Sequence, residues 1–185
     1  MEYSFANHLL IAMPLLDDPE FKHSVIYVCE HHDSGAVGLV INRPMTYPLG
    51  LVFEQLAIEP VDNKKNHLPL LSGGPMQQER GFVLHRPFGK WRSSLALRDG
   101  VTITTSNDII RAIAKDIGPQ DALVTLGYSG WAGEQLEHEV VNDFWLVCPF
   151  RDEILYDVPF TERWAYAGST LGVDMNTLTL ASGRA

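Results

Sequence analysis

Short apolar runs bounded by turn residues dominate the first quarter of the chain. Residues 8–13, 25–30 and 36–41 are such runs, and each is predicted to be a strand. The turn at residues 33–35 is too short for a crossover connection, so the second and third strands should form an antiparallel hairpin. Residues 36–41 are apolar without alternation, which is typical of a strand covered on both faces. Helices are therefore expected on both sides of the sheet.

A helical period appears further along the chain. Residues 49–56 carry apolar side chains at helical spacing, and so do residues 106–117, where Ser106 can cap a helix that Gly118 and Pro119 end. Helices are also predicted at residues 131–141 and 161–171. Further strands are predicted at residues 68–71, 81–85, 122–128, 144–148 and 153–157, with an Asp-Gly hairpin inside residues 93–106.

Together these elements predict an α+β domain, a compact mixed and largely antiparallel β-sheet with helices packed on both sides. The chain has 185 residues, of which 45% are hydrophobic, so it can bury one substantial core. We expect a single domain over residues 1–185. The tail from about residue 175 has few anchoring positions and is expected to be mobile.

Charge restricts the partners. The net charge of −9 repels phosphate backbones, so direct DNA binding is expected to be weak and salt-sensitive at most. One region is different: Arg80 to Arg98 holds five of the 14 basic residues and no Asp or Glu. This region is either a solvated hairpin paired with acidic neighbours or a surface on which a partner docks.

Cysteine usage and the first residues indicate the compartment. Cys29 and Cys148 both lie in apolar runs, where thiols usually act as small core residues, and we expect them to be reduced and unlinked. Residues 1–16 lack a basic leader and their apolar part is interrupted by polar residues and Pro14, which argues against a signal peptide or a membrane span. A cytoplasmic protein is expected.

A short pattern occurs twice. Residues 38–44 (GLVINRP) and 81–87 (GFVLHRP) share glycine, valine, arginine and proline, which indicates two strands that each end in Arg-Pro. Arg43, preceded by Asn42, and Arg86 would then lie at strand ends. Each arginine either pairs with a local carboxylate or contributes to a shared anion site in one exposed polar groove.

Two histidines follow Cys29. Period-two geometry predicts that Cys29 and His31 share a strand face and that His32 points the other way. Asp33 could complete a metal site only if the turn after His32 bent sharply, so we expect no bound metal. The two histidines are interpreted as structural or ligand-facing residues. Arg43 should lie roughly 20 Å from His31, at the far end of the hairpin, so the two cannot share a catalytic centre.

The segment LGYSGWAGE has the context of a nucleophile elbow, but Trp131 stands where the second glycine is needed. No triad partner is evident, and we assign no catalytic residue and no cofactor. The glycine-rich segment is read as a turn at a helix start. It would present Tyr128, Ser129 and Trp131 to a small ligand or peptide.

Several motifs occur in the order typical of one family: HLLIAMPLL, FKHSVIYVCEHHDSGAVGLVINRP, LSGGP, GFVLH, TTSNDIIRAIA, LGYSGWAGEQLEHE and ERWAYAGSTLGVD. In these the chain closely resembles the YqgE/AlgH family of bacterial proteins over nearly its whole length. The resemblance implies a compact fold with a mixed sheet and flanking helices. Members are described as candidate transcriptional regulators, and no reaction is established for the family.

Two hypotheses follow for the function. In the first, the chain is a cytoplasmic regulatory or interaction protein, an indirect transcriptional regulator that senses a small anionic ligand or an unidentified protein partner. In the second, which we rank lower, it is an enzyme of unknown reaction acting on a small anionic substrate. His31, His32, Asn42, Arg43 and Ser129 would then be the candidate polar groups, although spacing identifies no nucleophile and base among them.

Overall fold

Nine strands form one curled sheet in the computed structural model, which describes residues 4–182. The strands are β1 His8–Ala12, β2 Val25–His32, β3 Gly35–Val40, β4 Leu71–Ser72, β5 Met76–Arg86, β6 Ser94–Ala96, β7 Thr102–Thr104, β8 Asp121–Ala132 and β9 Trp145–Pro149. Six α-helices accompany them: α1 Gly50–Gln55, α2 Asn107–Ala114, α3 Gln135–Val141, α4 Asp152–Tyr156, α5 Arg163–Ser169 and α6 Met175–Ser182. A 3₁₀ helix spans Asn63–His67.

The sheet is almost entirely antiparallel. Its strand order is β6-β7-β5-β8-β3-β2-β1-β9, and β4 pairs in parallel with β8 beside this path. The hairpin of β2 and β3 is confirmed, with Ile26 opposite Val40 and His32 opposite Gly35. The α+β class and the mixed, largely antiparallel sheet are therefore confirmed.

Alternating residues of the central strands separate the core into layers. The inner face of the sheet holds Leu9, Tyr27 and Leu84 and is covered by α4 and α5. The other face of β1 to β3 packs against α3, and the other face of β5 and β8 packs against α1 and α2. Helices thus lie on both sides of the sheet, as the unbroken apolar run at residues 36–41 predicts.

Four predicted elements are wrong. Of the strand predicted at residues 68–71, only Leu71 lies in a strand, β4. The segment 127–132 is the end of strand β8, not a turn, and α3 begins only at Gln135. Residues 153–157 are predicted as a strand, but residues 153–156 belong to α4, which buries Ile154 and Leu155 in the inner layer. Helix α2 ends at Ala114, which leaves Ile117 beyond the helix and 77% exposed.

The last helix starts at the edge of the core. The side chain of Met175 is buried in the inner layer. The mobility of the tail and the single-domain assignment stay predictions, and residues 1–3 and 183–185 lie outside the described residues. Within residues 4–182, no helix has both the length and the hydropathy that crossing a membrane requires.

Candidate functional site

A β-bulge decides where the two histidines of β2 point. Val28 pairs with Gly38 and Glu30 pairs with Val37, so β2 has one residue more than β3 between these two pairs. The extra residue reverses the alternation: Cys29 packs in the inner layer, whereas His31 lies on the opposite face beside Phe5. The prediction that Cys29 and His31 share a face is therefore wrong. His32 is exposed.

His31 is buried and both of its ring nitrogens are used. The backbone N–H of Phe5 donates to Nδ1 at 2.9 Å, which leaves the proton on Nε2. Nε2 then donates to Glu137 of α3 at 3.0 Å, and the ring stacks on Phe5 with centroids 5.1 Å apart. These contacts of His31 join the residues before β1 to β2 and α3.

Trp131 lies on the same face as His31, because β3 places Ala36 between them. Its indole N–H donates to Glu139 at 2.8 Å, and the indole N–H of Trp145 donates to the same carboxylate oxygen at 2.7 Å. The amide of Gln135 donates to the other oxygen at 2.9 Å. Glu139 therefore anchors α3 on two buried tryptophans, a role that the sequence pattern does not indicate.

The predicted contact surface at Tyr128, Ser129 and Trp131 does not form. Tyr128 packs edge-on against Phe82 on the inner side, whereas Trp131 faces α3, because three strand positions separate them. Ser129 is buried, and its hydroxyl donates to the carbonyl of Gly73. The glycines here serve close packing: a Cβ on Gly74 would lie 2.3 Å from the carbonyl carbon of Tyr128.

Asn42 and Arg43 bind the loop that leads into β2. The Asn42 side chain accepts from Val25 N–H at 2.8 Å and donates to the carbonyl of His23 at 2.9 Å. The Arg43 guanidinium donates to carbonyl oxygens of the same loop, including that of Lys22 at 3.1 Å. Both side chains thus hold backbone in place.

Arg86 has acidic partners from distant parts of the chain. Its Nε donates to Asp121 at 2.7 Å and its Nη1 donates to Asp152 at 2.6 Å, while the guanidinium lies over the Tyr156 ring at 4.7 Å. The hydrogen bond with Asp121 contributes most to raising the pKa of Arg86. Arg86 and Arg43 have no partner in common among the described residues. Their shared anion site therefore stays a prediction.

A groove opens beside Arg86. It has a volume of about 580 Å³, and its lining includes Phe88, Leu97, Val101 and Gln120. The edge strand β6 runs next to it, paired on one side with β7. Phe88 and Leu95 are 62% and 48% exposed.

The same edge carries three exposed cations: Lys90, Arg92 and Arg98. None of the three forms an ion pair with an acidic side chain among residues 4–182. We call Phe88, Leu95 and these three cations the β6 edge. The basic run at Arg80 to Arg98 is thus divided, since Arg86 is paired with carboxylates while the cations of the β6 edge are not.

Another cation is buried. The side chain of Arg163 donates to the carbonyls of Val158 and Ile41 and lies over the Phe160 ring at 4.4 Å. Burial lowers the pKa of Arg163 to about 10, and nearby Asp157 opposes the shift. This arginine holds α5 against the end of β3. Within the described residues, no three His, Cys, Asp or Glu side chains are grouped so that they could hold a metal ion.

Comparisons with known proteins match nearly the whole chain. A family profile described as AlgH-like, DUF179, matches residues 9–176. A UPF0301 protein of Legionella pneumophila strain Corby is 63% identical over 182 residues, which cover 98% of this chain and 97% of the relative. A UPF0301 protein of Thioalkalivibrio sulfidiphilus is 47% identical over 182 residues, with coverage of 98% and 97%.

Two solved structures share the fold. The solution structure of the AlgH protein from Pseudomonas aeruginosa superimposes with a TM-score of 0.81 at 42% identity, covering 97% of this chain and 95% of that one. A crystal structure of a Corynebacterium diphtheriae protein gives a TM-score of 0.71 at 17% identity, covering 94% and 91%, which supports the fold alone. From the profile, the relatives and the AlgH structure, this chain belongs to the YqgE/AlgH family of bacterial proteins.

Proposed function

We propose that this chain is a cytoplasmic interaction protein that binds an acidic, extended segment of a partner protein along the β6 edge. One observation carries the proposal: exposed cations without ion-pair partners lie beside exposed apolar side chains at an open edge of the sheet. Any effect on transcription would be indirect, through that partner.

The edge strand supports strand addition. β6 bonds to β7 on one side only, so backbone donors and acceptors on its other side can pair with an extended peptide. Phe88 and Leu95 supply apolar contacts beside it, and the adjacent groove of about 580 Å³ can accept a side chain from the peptide.

Charge favours an acidic partner. The whole chain has a net charge of −9, so an acidic segment is repelled by most of the surface and attracted at the β6 edge. A small anion is disfavoured at Arg86, where it would have to displace one of two carboxylates already bound. The β6 edge is therefore the better place for an acidic group.

Two other functions receive less support. The cations of the β6 edge lie on a strand connection and a hairpin, not on a helix that could enter a DNA groove. For the enzyme hypothesis, Ser129 donates to Gly73 and His31 donates to Glu137, so neither side chain is engaged with the other as nucleophile and base.

The test is binding of a short fluorescent peptide in which valine and glutamate alternate, followed by polarisation. Replacing Lys90, Arg92 and Arg98 together with Gln should weaken binding about tenfold, since three exposed ion pairs contribute about 0.5 kcal/mol each. Binding by the unmodified chain should also weaken as salt is raised.

The matched control replaces three exposed cations elsewhere, Lys64, Arg111 and Lys115, with Gln, and should leave peptide affinity nearly unchanged. The proposal is wrong if both triple variants lose affinity equally, because the attraction would then come from overall charge. It is also wrong if duplex DNA binds the β6 edge more tightly than the acidic peptide at physiological salt.

A further inference from the structure

A second cavity borders the start of β8. It has a volume of about 380 Å³ and lies between the 3₁₀ helix, α2 and the first residues of β8. Nine of its 12 lining residues are apolar, glycine or proline: Leu49, Leu68, Pro69, Ile113, Gly118, Pro119, Ala122, Leu123 and Val124. This volume lies in the lower part of the range of small-molecule sites, about 300–1,000 Å³.

Three residues of the lining have polar side chains. Lys65 of the 3₁₀ helix forms an ion pair with Asp116, its Nζ 2.5 Å from Oδ1, and Gln120 is the third. The Lys65 side chain is 26% exposed, whereas that of Asp116 is 71% exposed. The carboxylate of Asp116 is thus well hydrated and can leave the ammonium group at small cost.

We propose that this cavity binds a small amphipathic carboxylate, with its hydrocarbon chain among the apolar lining and its carboxylate on Lys65. The ligand carboxylate takes the position beside Lys65 that the Asp116 carboxylate occupies in the structure. A neutral ligand of the same length gains only the apolar contacts, because it forms no ion pair with Lys65 and leaves Asp116 in place.

The apolar part of the ligand has a measurable signature. Each buried methylene group contributes at most about fourfold in affinity. Affinity should therefore rise from hexanoate to octanoate to decanoate and then level off when the cavity of about 380 Å³ is filled. A non-specific detergent effect would instead continue to rise with chain length.

The experiment is calorimetric titration of the full chain with decanoate and with decanol. Lys65→Met keeps the apolar stem and removes the charge, so decanoate affinity should fall about tenfold while decanol affinity stays the same. Asp116→Asn removes the competing carboxylate and should tighten decanoate binding. Lys64→Met, on the same 3₁₀ helix but outside the lining, is the matched control and should bind decanoate like the unmodified chain.

A second variant tests the position of the site. Ala122→Phe fills the cavity from strand β8 and should abolish binding of both probes, with the fold checked by circular dichroism. The proposal fails if decanoate does not bind saturably below its micelle concentration, or if Lys65→Met and Lys64→Met behave alike. These outcomes say nothing about the β6 edge, whose peptide assay uses neither residue 65 nor residue 122.

Discussion

Replacing Glu139 with Ala should destabilise the protein more than replacing any exposed carboxylate. Trp131 and Trp145 both donate their indole N–H to one oxygen of Glu139, at 2.8 and 2.7 Å, and both rings are buried. Alanine removes the acceptor and leaves two buried donors without a partner. Helix α3 would also lose the bond between Gln135 and the second carboxylate oxygen.

The magnitude follows from these contacts. A buried donor left unpaired costs about 1–3 kcal/mol, so two donors would cost about 4 kcal/mol at mid-range. The carboxylate is only partly buried, and water entering along α3 should restore some of the bonding, which lowers the expected loss to about 3 kcal/mol. For a domain of 185 residues this corresponds to a fall in Tm of about 6–12 °C.

Glu139→Gln separates the hydrogen bonds from the charge. Its amide oxygen can still accept from both indoles, but its NH₂ group then faces the amide donor of Gln135. We expect a loss of about 1 kcal/mol, smaller than that for alanine. Glu54→Ala, at an exposed position of α1, is the matched control and should change stability by less than about 0.5 kcal/mol.

Urea unfolding followed by tryptophan fluorescence and circular dichroism measures these losses. The reasoning is refuted if Glu139→Ala loses no more stability than Glu54→Ala, because Glu139 would then not be anchoring the two tryptophans. Equal losses for the alanine and glutamine variants would show that the charge, not the acceptor geometry, is what matters.

Two further predictions concern backbone packing and pH. Gly74→Ala should lower the free energy of unfolding by more than about 3 kcal/mol, because φ is +149° and the new Cβ would lie 2.3 Å from the carbonyl carbon of Tyr128. Near-native stability in urea would contradict this prediction. Burial lowers the pKa of His85, although the Pro87 carbonyl opposes the shift, so the unfolded chain binds a proton that the folded chain does not. The free energy of unfolding should therefore decrease as the pH falls below about 6.5, by at most about 1.4 kcal/mol per pH unit from this group. A His85→Gln variant with the same pH dependence would disprove the assignment.

The strand pattern predicts the hairpin of β2 and β3 correctly, but it cannot detect the bulge between them. The pattern of residues 25–32 predicts one strand and does not show whether it holds an extra residue, so regular alternation would put Cys29 and His31 on one face. In the structure the unpaired position changes the alternation and places His31 under α3. A one-residue register shift is determined by cross-strand pairing, which the local pattern does not contain.

The second main error of the sequence-based prediction concerns glycines. Gly127 and Gly130 suggest a turn, yet they lie within strand β8. Gly127 has a φ of +75°, and a Cβ there would lie 2.4 Å from the carbonyl oxygen of Gly74. The absent side chains let residues 73 and 74 approach β8 closely. Sequence composition alone does not distinguish a glycine needed for a turn from one needed for strand contact.

The candidate sites depend on contacts between distant parts of the chain. The repeated Arg-Pro pattern predicts that Arg86 lies at the end of a strand, and pairing with a local carboxylate is one of the two interpretations of that arginine. Its partners Asp121 and Asp152 are 35 and 66 residues away, and no spacing in the sequence connects them. The basic run at residues 80–98 is visible in the sequence, but only the structure shows which of its cations are free of ion pairs.

The two proposed sites meet at the start of β8. Gln120 lines both the cavity of about 380 Å³ and the groove of about 580 Å³, and the next residue, Asp121, holds Arg86 on the groove side. A carboxylate bound in the cavity affects peptide binding at the β6 edge only if it displaces the first residues of β8. Linkage then requires that the peptide change decanoate affinity by the same factor by which decanoate changes peptide affinity. If neither ligand alters the affinity of the other, the cavity and the β6 edge act independently, and sensing of a small ligand is a separate property from partner binding.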